Sequence, residues 1–309
     1  MKTDLEKKIY QAQCIGNVEP IEYMVAYPNL FSLIDGQNIK FSDQIIFEKY
    51  NLTNSKIKDL VNQMSNWLDI QGIKPKERVT IKSLKFPLAE IVLFGIWNVG
   101  ATVVITGSKD IKEAQKETGS KHIIEPPKDL LKTLVQFPKK YMQKYKPLLG
   151  DEALIFFYKG KGLRLSHYNL LVNTGSTKKE MKIESRSRIF CDIKSDSVSW
   201  IIFRAILPIY AGCIYTEKNP DITISDKSKN STYFIREDIE NIRNYRKNEV
   251  AICPENTAVL SIGGKPIHLS NFSVESNLIK IQGHSVMMGY LDERMNEKSF
   301  NENYLEVSI

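Results

Sequence analysis

Apolar and polar positions along this chain fall into short alternating runs, some at helical spacing and some at strand spacing. Between Ser55 and Gly72, the residues Ile57, Leu60, Val61, Met64 and Leu68 recur at intervals of mostly three and four. That spacing puts them on one face of a helix, with Ser55 as its expected cap and Gly72 as its stop. Val79-Thr-Ile reads as a short strand. Leu88–Val99 is apolar at nearly every position, which predicts a buried helix. Pro87 opens it, where a missing N–H costs nothing, and Gly100 closes it.

The alternation continues with a strand over 102–106, a helix over 110–118, a strand over 122–124 and a helix over 128–136. A basic, proline-containing connector occupies 138–150. Ala153–Tyr158 is a strongly apolar strand and Ser166–Asn173 a capped helix start. Arg188–Asp192, Trp200–Ala211 and Cys213–Thr216 repeat strand, helix, strand. This rhythm predicts an α/β fold of largely parallel sheets flanked by helices. Beyond Ser231 strands dominate, at 233–235, 257–262, 266–269 and 278–282, with one helix at Glu237–Lys247. Residues 1–38 read as a lead-in of turns and short segments, with turn signals at Tyr27-Pro-Asn and Asp35-Gly. The organisation expected is a first α/β subdomain at 1–150, a second at 151–230 and a β-rich region at 231–309.

Composition refines this only slightly. With 309 residues, 42% hydrophobic and 26% charged, the chain has the make-up of a globular protein with a sizeable core. Forty-three basic against 36 acidic residues give a net charge of +7, but the basic residues are spread through the predicted helices. A solvated surface is the simplest account, and without an aromatic–basic recognition motif a nucleic-acid partner is not expected. Cys14, Cys191, Cys213 and Cys253 lie far apart with no paired spacing, so neither a zinc site nor a disulfide framework is expected. The charged start Met1–Lys8 lacks the apolar core of a signal peptide, and no apolar run approaches the ~20 residues that span a bilayer. A soluble cytoplasmic protein without membrane attachment is the expectation.

Four ordered segments carry more specific information. Asn62–Val79 has a helix, a Gly72-Ile-Lys-Pro-Lys-Glu-Arg-Val turn and a strand, followed by Gly100-Ala-Thr-Val-Val-Ile. Asp151-Glu-Ala-Leu-Ile-Phe-Phe-Tyr-Lys-Gly-Lys-Gly-Leu-Arg-Leu-Ser-His-Tyr-Asn-Leu runs from a strand through a basic glycine turn to Ser-His-x-Asn-Leu. Phe190–Trp200 leads to Leu207-Pro-Ile-Tyr-Ala-Gly. Ile262-Gly-Gly-Lys-Pro-Ile precedes Leu278-Ile-Lys-Ile-Gln-Gly-His-Ser-Val-Met-Met-Gly-Tyr-Leu, with Phe300–Leu305 beyond. In this order, over residues 40–309, the segments resemble the AMP-forming acyl/aryl acid–CoA ligases. The second resembles that family's phosphate loop between strand and Ser-His-x-Asn-Leu, and the last its Gly-x-x-Val-Met-x-Gly-Tyr turn.

The resemblance implies the N-terminal-domain fold of those ligases. It also implies a nucleotide or anion site at Lys159, Gly160, Lys161, Gly162, Ser166 and His167, with Ser197 where the acid-pocket histidine usually stands. In the family a carboxylate attacks ATP to give an acyl-adenylate, magnesium assists, and CoA then displaces AMP. Here the loop hydroxyls are gone and several positions are deleted. No Tyr-Gly-x-Thr-Glu is found, and the ribose-binding aspartate and the mobile C-terminal domain with its lysine are missing from the sequence. Lys159 and Lys161 are expected either to hold an anion or merely to form a tight basic turn, and Ser197 either to face substrate or to cap a helix. The leading expectation is a pseudoenzyme: an AMP-binding-like module for a protein partner, or for a second copy covering the face left by the missing domain. The alternative is a minimal or partner-completed acid–CoA ligase using ATP, magnesium and CoA on a small carboxylate.

Overall fold

The computed structural model describes residues 2–21, 25–82, 84–107, 109–125, 129–275 and 277–309. Its first sheet has the order β17 (Gly289–Tyr290), β7 (Lys161–Ser166), β6 (Glu152–Tyr158), β4 (Thr102–Ile105), β3 (Arg78–Ile81), β5 (His122–Ile124). Parallel pairing joins β3 to β4 and β5, and β4 to β6. Strand β6 then folds back into antiparallel β7, whose other edge takes β17. The second sheet runs β14 (Lys265–Pro266), β13 (Val259–Ile262), β12 (Glu249–Ile252), β11 (Tyr233–Arg236), β10 (Ile222–Ser225), β8 (Arg188–Asp192), β9 (Ile214–Tyr215), β1 (Ile45–Phe47), β2 (Leu52–Thr53). Its middle is parallel and both ends are closed by antiparallel strands. A small antiparallel sheet of β15 (Ser270–Glu275), β16 (Leu278–Gly283), β19 (Tyr304–Ser308) and β18 (Phe300–Asn301) completes the chain.

The α/β architecture with largely parallel sheets and a smaller β-rich region is thus present. The sheets do not follow chain order: the first draws strands from both sides of residue 150, and the second takes β1 and β2 from residues 45–53.

Helices α1 (Asp4–Gln13) and α2 (Leu30–Phe41) occupy the region expected to be turns. Helix α1 opens with a capping box between Thr3 and Glu6 and turns Leu5, Ile9 and Ala12 to the core. The Asp35-Gly pair lies inside α2, where a Cβ on Gly36 would stand 2.6 Å from the Tyr27 ring. That glycine serves close packing rather than a turn. Helix α3 (Asn54–Ile70) starts one residue earlier than expected, and its cap is Thr53, which accepts from the Lys56 N–H. It packs on α4 (Leu88–Val99), and a Cβ on Gly95 would meet Met64 at 2.3 Å. Every residue of α4 from Ala89 to Val99 is buried, as its nearly all-apolar pattern required, Glu90 and Asn98 included. Trp97 donates its indole N–H to the Ala153 carbonyl at 2.8 Å, tying α4 to β6.

Helices α5 (Ile111–Thr118) and α6 (Leu130–Leu134) flank the first sheet's connections. Lys128, the start expected for α6, lies outside the described residues. Helix α7 (His167–Glu180) follows β7 directly. The helix expected over Trp200–Ala211 is α8 (Val198–Trp200), a widened π turn at Ile201–Ile206 and α9 (Leu207–Ala211). Pro208 supplies no N–H and its ring crowds the preceding turn, which the widening relieves. Glu237–Lys247 is not an α-helix but a 3₁₀ segment, Ile239–Asn244. The buried residues there are Ile239, Ile242 and Tyr245, and a three-residue repeat matches three residues per turn, not 3.6. Helix α10 (Glu293–Ser299), capped by Asp292, was not expected in the final region.

One charged cluster is sealed in the core. The Glu90 carboxylate in α4 accepts from Arg204 Nε and Trp200 Nε1, each at 2.8 Å, while Arg204 also donates to the Ile193 carbonyl at 3.0 Å. Glu90 is 1% exposed.

Candidate functional site

Strands β6 and β7 form a hairpin in which Tyr158 pairs with Lys161, leaving Lys159 and Gly160 as a two-residue turn. Both have positive φ, 48° and 80°. A two-residue hairpin turn with both centres left-handed is a type I′ turn, whose twist suits the flanking strands and whose second position favours glycine. The turn is held from outside by Lys109, which pairs with Glu117 and donates to the Gly160 carbonyl at 3.4 Å. The basic stretch therefore joins strand to strand, and the helix begins only after β7.

Among the described residues neither Lys159 nor Lys161 has an ion-pair partner. Lys159 Nζ lies 5.2 Å from the Tyr158 ring centre and Lys161 Nζ 5.6 Å from that of Tyr290. Both lysines line a cleft of about 530 Å³, open mouth included, that Glu237, Glu240 and Glu255 line as well. Glu255 sits on the short turn between β12 and β13 and is buried, taking the Tyr290 hydroxyl at 3.2 Å and the Cys253 thiol at 3.4 Å. Burial raises the pKa of Tyr158, and the carboxylates of Glu237 and Glu255 raise it further. The Cys253 thiol is likewise pushed up by burial and then by Glu255. The cleft thus brings two lysines together with three carboxylates and the Tyr158 phenol, and the Cys253 thiol lies buried behind Glu255.

Ser166 and His167 are not in this cleft. They lie at the far end of β7, roughly 17 Å from the turn at ~3.3 Å per residue. Ser166 caps α7: its Oγ accepts from the Asn169 N–H at 3.1 Å while its own N–H donates to Asn169 Oδ1 at 3.0 Å. His167 is 1% exposed, and its Nδ1 accepts from the Leu30 N–H at 3.4 Å. Desolvation brings its pKa down to about 4, against a small opposing effect of Asp151. A neutral, enclosed imidazole supplies no positive charge to an anion. Asn169 completes the Ser-His-x-Asn-Leu stretch by donating to the carbonyls of His284 and Val286 at 3.1 and 3.0 Å. Asn169 thereby splices the start of α7 onto the segment that leads to β17.

Ser197 caps α8, accepting from the Trp200 N–H at 3.2 Å and donating to the Lys194 carbonyl at 3.0 Å. Its hydroxyl is committed to the backbone. Gly162 is needed for packing, since a Cβ there would meet Leu291 at 2.4 Å. Sequence reasoning overlooked Glu237, Glu240 and Glu255 as cleft residues; Pro254, breaking an apolar run beside Cys253 and Glu255, was the available signal.

No protein-family model matches the sequence, and neither does any curated protein. Solved structures do match in three dimensions. The anthranilate CoA ligase AuaEII in complex with anthranoyl-AMP has a TM-score of 0.74 at 12% identity, covering 93% of this chain and 75% of its own. The inhibitor-bound N-terminal domain of FACL13 from Mycobacterium tuberculosis has 0.72 at 12% identity, covering 91% and 95%. The o-succinylbenzoate CoA synthetase MenE from Bacillus subtilis, with its acyl-adenylate OSB-AMP, has 0.72 at 11%, covering 89% and 94%. The fold is that of the adenylate-forming ligase N-terminal domain. At these identities the likeness concerns the ligase fold, and the side chains of the cleft carry any argument about chemistry. No helix among the described residues is long and apolar enough to cross a membrane.

Proposed function

We propose that this chain is a ligase-fold binding module that does not form adenylates. The observation that carries the reading is the two-residue turn at Lys159-Gly160. Wrapping a triphosphate takes a run of backbone N–H groups and hydroxyls converging on the anion. A type I′ turn offers no such run, and this one bears no hydroxyl. Glu237, Glu240 and Glu255, which line the same cleft, repel a polyphosphate. The groups present do not fit ATP, and no catalytic step is derived through it. Removing a single positioned donor costs other enzymes ~10²–10³ in rate, so a cleft without the set gains little acceleration. Its role is then to engage a protein partner or a second copy.

Pyrophosphate release with magnesium, ATP and a panel of acyl and aryl carboxylates tests this directly. The expected result is no turnover above the blank and no thermal shift with ATP–magnesium, AMP or CoA. Sustained turnover with any acid overturns the proposal. A second reading, a partner-completed acid–thiol ligase, is favoured by the two lysines without ion pairs at the turn. Turnover that appears only when a partner protein is added would select it.

A further inference from the structure

A groove unrelated to the hairpin cleft runs along α7 beside Tyr210 of α9. One end is walled by Val25, Ala26 and Val172 and measures about 780 Å³ with its mouth. The other is walled by Lys178, Lys179 and Lys182 and measures about 810 Å³. Gly175, Lys179 and Tyr210 border both, so an apolar and a cationic depression adjoin along the helix with the Tyr210 phenol at their boundary.

The boundary between the two depressions holds an unfavourable residue. Gly175 lies in the interior of α7, where glycine costs ~1 kcal/mol relative to alanine. A Cβ there would stand 2.8 Å from the Tyr210 hydroxyl oxygen. Glycine thus lets the phenol lie against the helix backbone between the two halves.

The cationic half is not neutralised from within. Among the described residues Lys178, Lys179 and Lys182 have no ion-pair partner, and Glu184 is the one carboxylate lining this end. Lys179 Nζ is 3.3 Å from Nδ1 of His268, whose pKa is lowered by desolvation and then by that lysine. A neutral imidazole accepts a hydrogen bond without cancelling charge. Lysines in a last helical turn ordinarily complement the helix dipole, which accounts for Lys178 and Lys179. Lys182 lies beyond the helix in a left-handed conformation, φ 52°, and that account does not reach it.

We propose that this groove binds an amphipathic anion, its carboxylate or phosphate head among the three lysines and its short apolar chain along Val25, Ala26 and Val172. The site stands whether or not the hairpin cleft binds anything. Isothermal titration of the whole chain with octanoate, octyl phosphate, octanol and inorganic phosphate tests it. Both octyl anions are expected to bind, with octanol and phosphate each at least roughly tenfold weaker, the scale of a hydrogen bond to a charged group. Replacing the three lysines together (K178Q, K179Q, K182Q) should weaken both octyl anions roughly tenfold or more, and Ala26→Trp, at an exposed position, should do so by filling the apolar end. Replacing Lys159 and Lys161 by Gln should leave binding unchanged, which separates this site from the hairpin. Phosphate or octanol binding as tightly as octyl phosphate, no binding by any probe, or indifference to the groove substitutions would overturn the proposal.

Discussion

His167 separates a structural from a ligand-binding reading of the Ser-His-x-Asn-Leu stretch, and protons are the perturbation that tells them apart. The imidazole is enclosed, accepts from Leu30 through Nδ1, and is held from its ordinary 6.5 down to about 4 by desolvation. Above pH 6.5 it is neutral in folded and unfolded chains alike, and its contribution to stability is fully present. Between 6.5 and about 4 the unfolded chain takes up a proton that the folded chain does not, so stability falls by ~1.4 kcal/mol per pH unit. Below about 4 both forms are protonated and the loss levels off. From pH 7.5 to 4.5 the loss due to this ring is about 2.5 kcal/mol. Urea unfolding of the parent and His167→Gln at the two pH values isolates it, because every other titrating group, His284 included, cancels in the difference. Glutamine keeps a neutral acceptor, so the variant should lose about 2.5 kcal/mol less than the parent over that interval. Equal losses in the two proteins, or a His167 ring titrating near 6.5 by NMR, would refute the burial argument and restore His167 as a candidate anion ligand.

Three further expectations concern single positions. Arg204→Met strands the buried Glu90 carboxylate and should cost ~3–5 kcal/mol in urea unfolding, whereas adding Glu90→Met should recover much of that loss. Gly283 has φ 131° and a Cβ there would stand 2.3 Å from the Leu269 carbonyl oxygen, so Gly283→Ala should cost more than ~3 kcal/mol, read as a large fall in melting temperature or loss of soluble protein. Lys159→Asn puts Asn-Gly at the type I′ turn and should raise stability by ~0.5–1 kcal/mol.

What was legible in the sequence was what repeats. The stripe of α3, the nearly all-apolar run of α4 and the β6 strand each bury what their pattern said they would bury. The failures share a different cause. Gly36 reads as a turn only because a sequence does not show Tyr27 resting on it, and the α1 stripe of Leu5, Ile9 and Ala12 is short and sits among charged residues, beside a capping box that marks its start. At the candidate site, adjacency along the chain misled: six residues of extended strand carry Ser166 and His167 away from the turn that Lys159 and Gly160 form. Glu237 and Glu255, which do face that turn, come from segments some eighty residues and more further on, and nothing local links them to it. Ser197 was legible as a cap because that role needs only its own neighbours.

The pairing of β17 with β7 bears on how the chain is made. Leu291 and Met288 donate to the carbonyls of Gly162 and Arg164 at 2.8 Å, across more than 120 residues. As the chain emerges from a ribosome, β7 must therefore present a bare strand edge until residue 291 arrives, and exposed edges invite pairing with other chains. Strand β17 thus acts as a late clasp, and a nascent chain arrested before it is synthesised should be prone to aggregate.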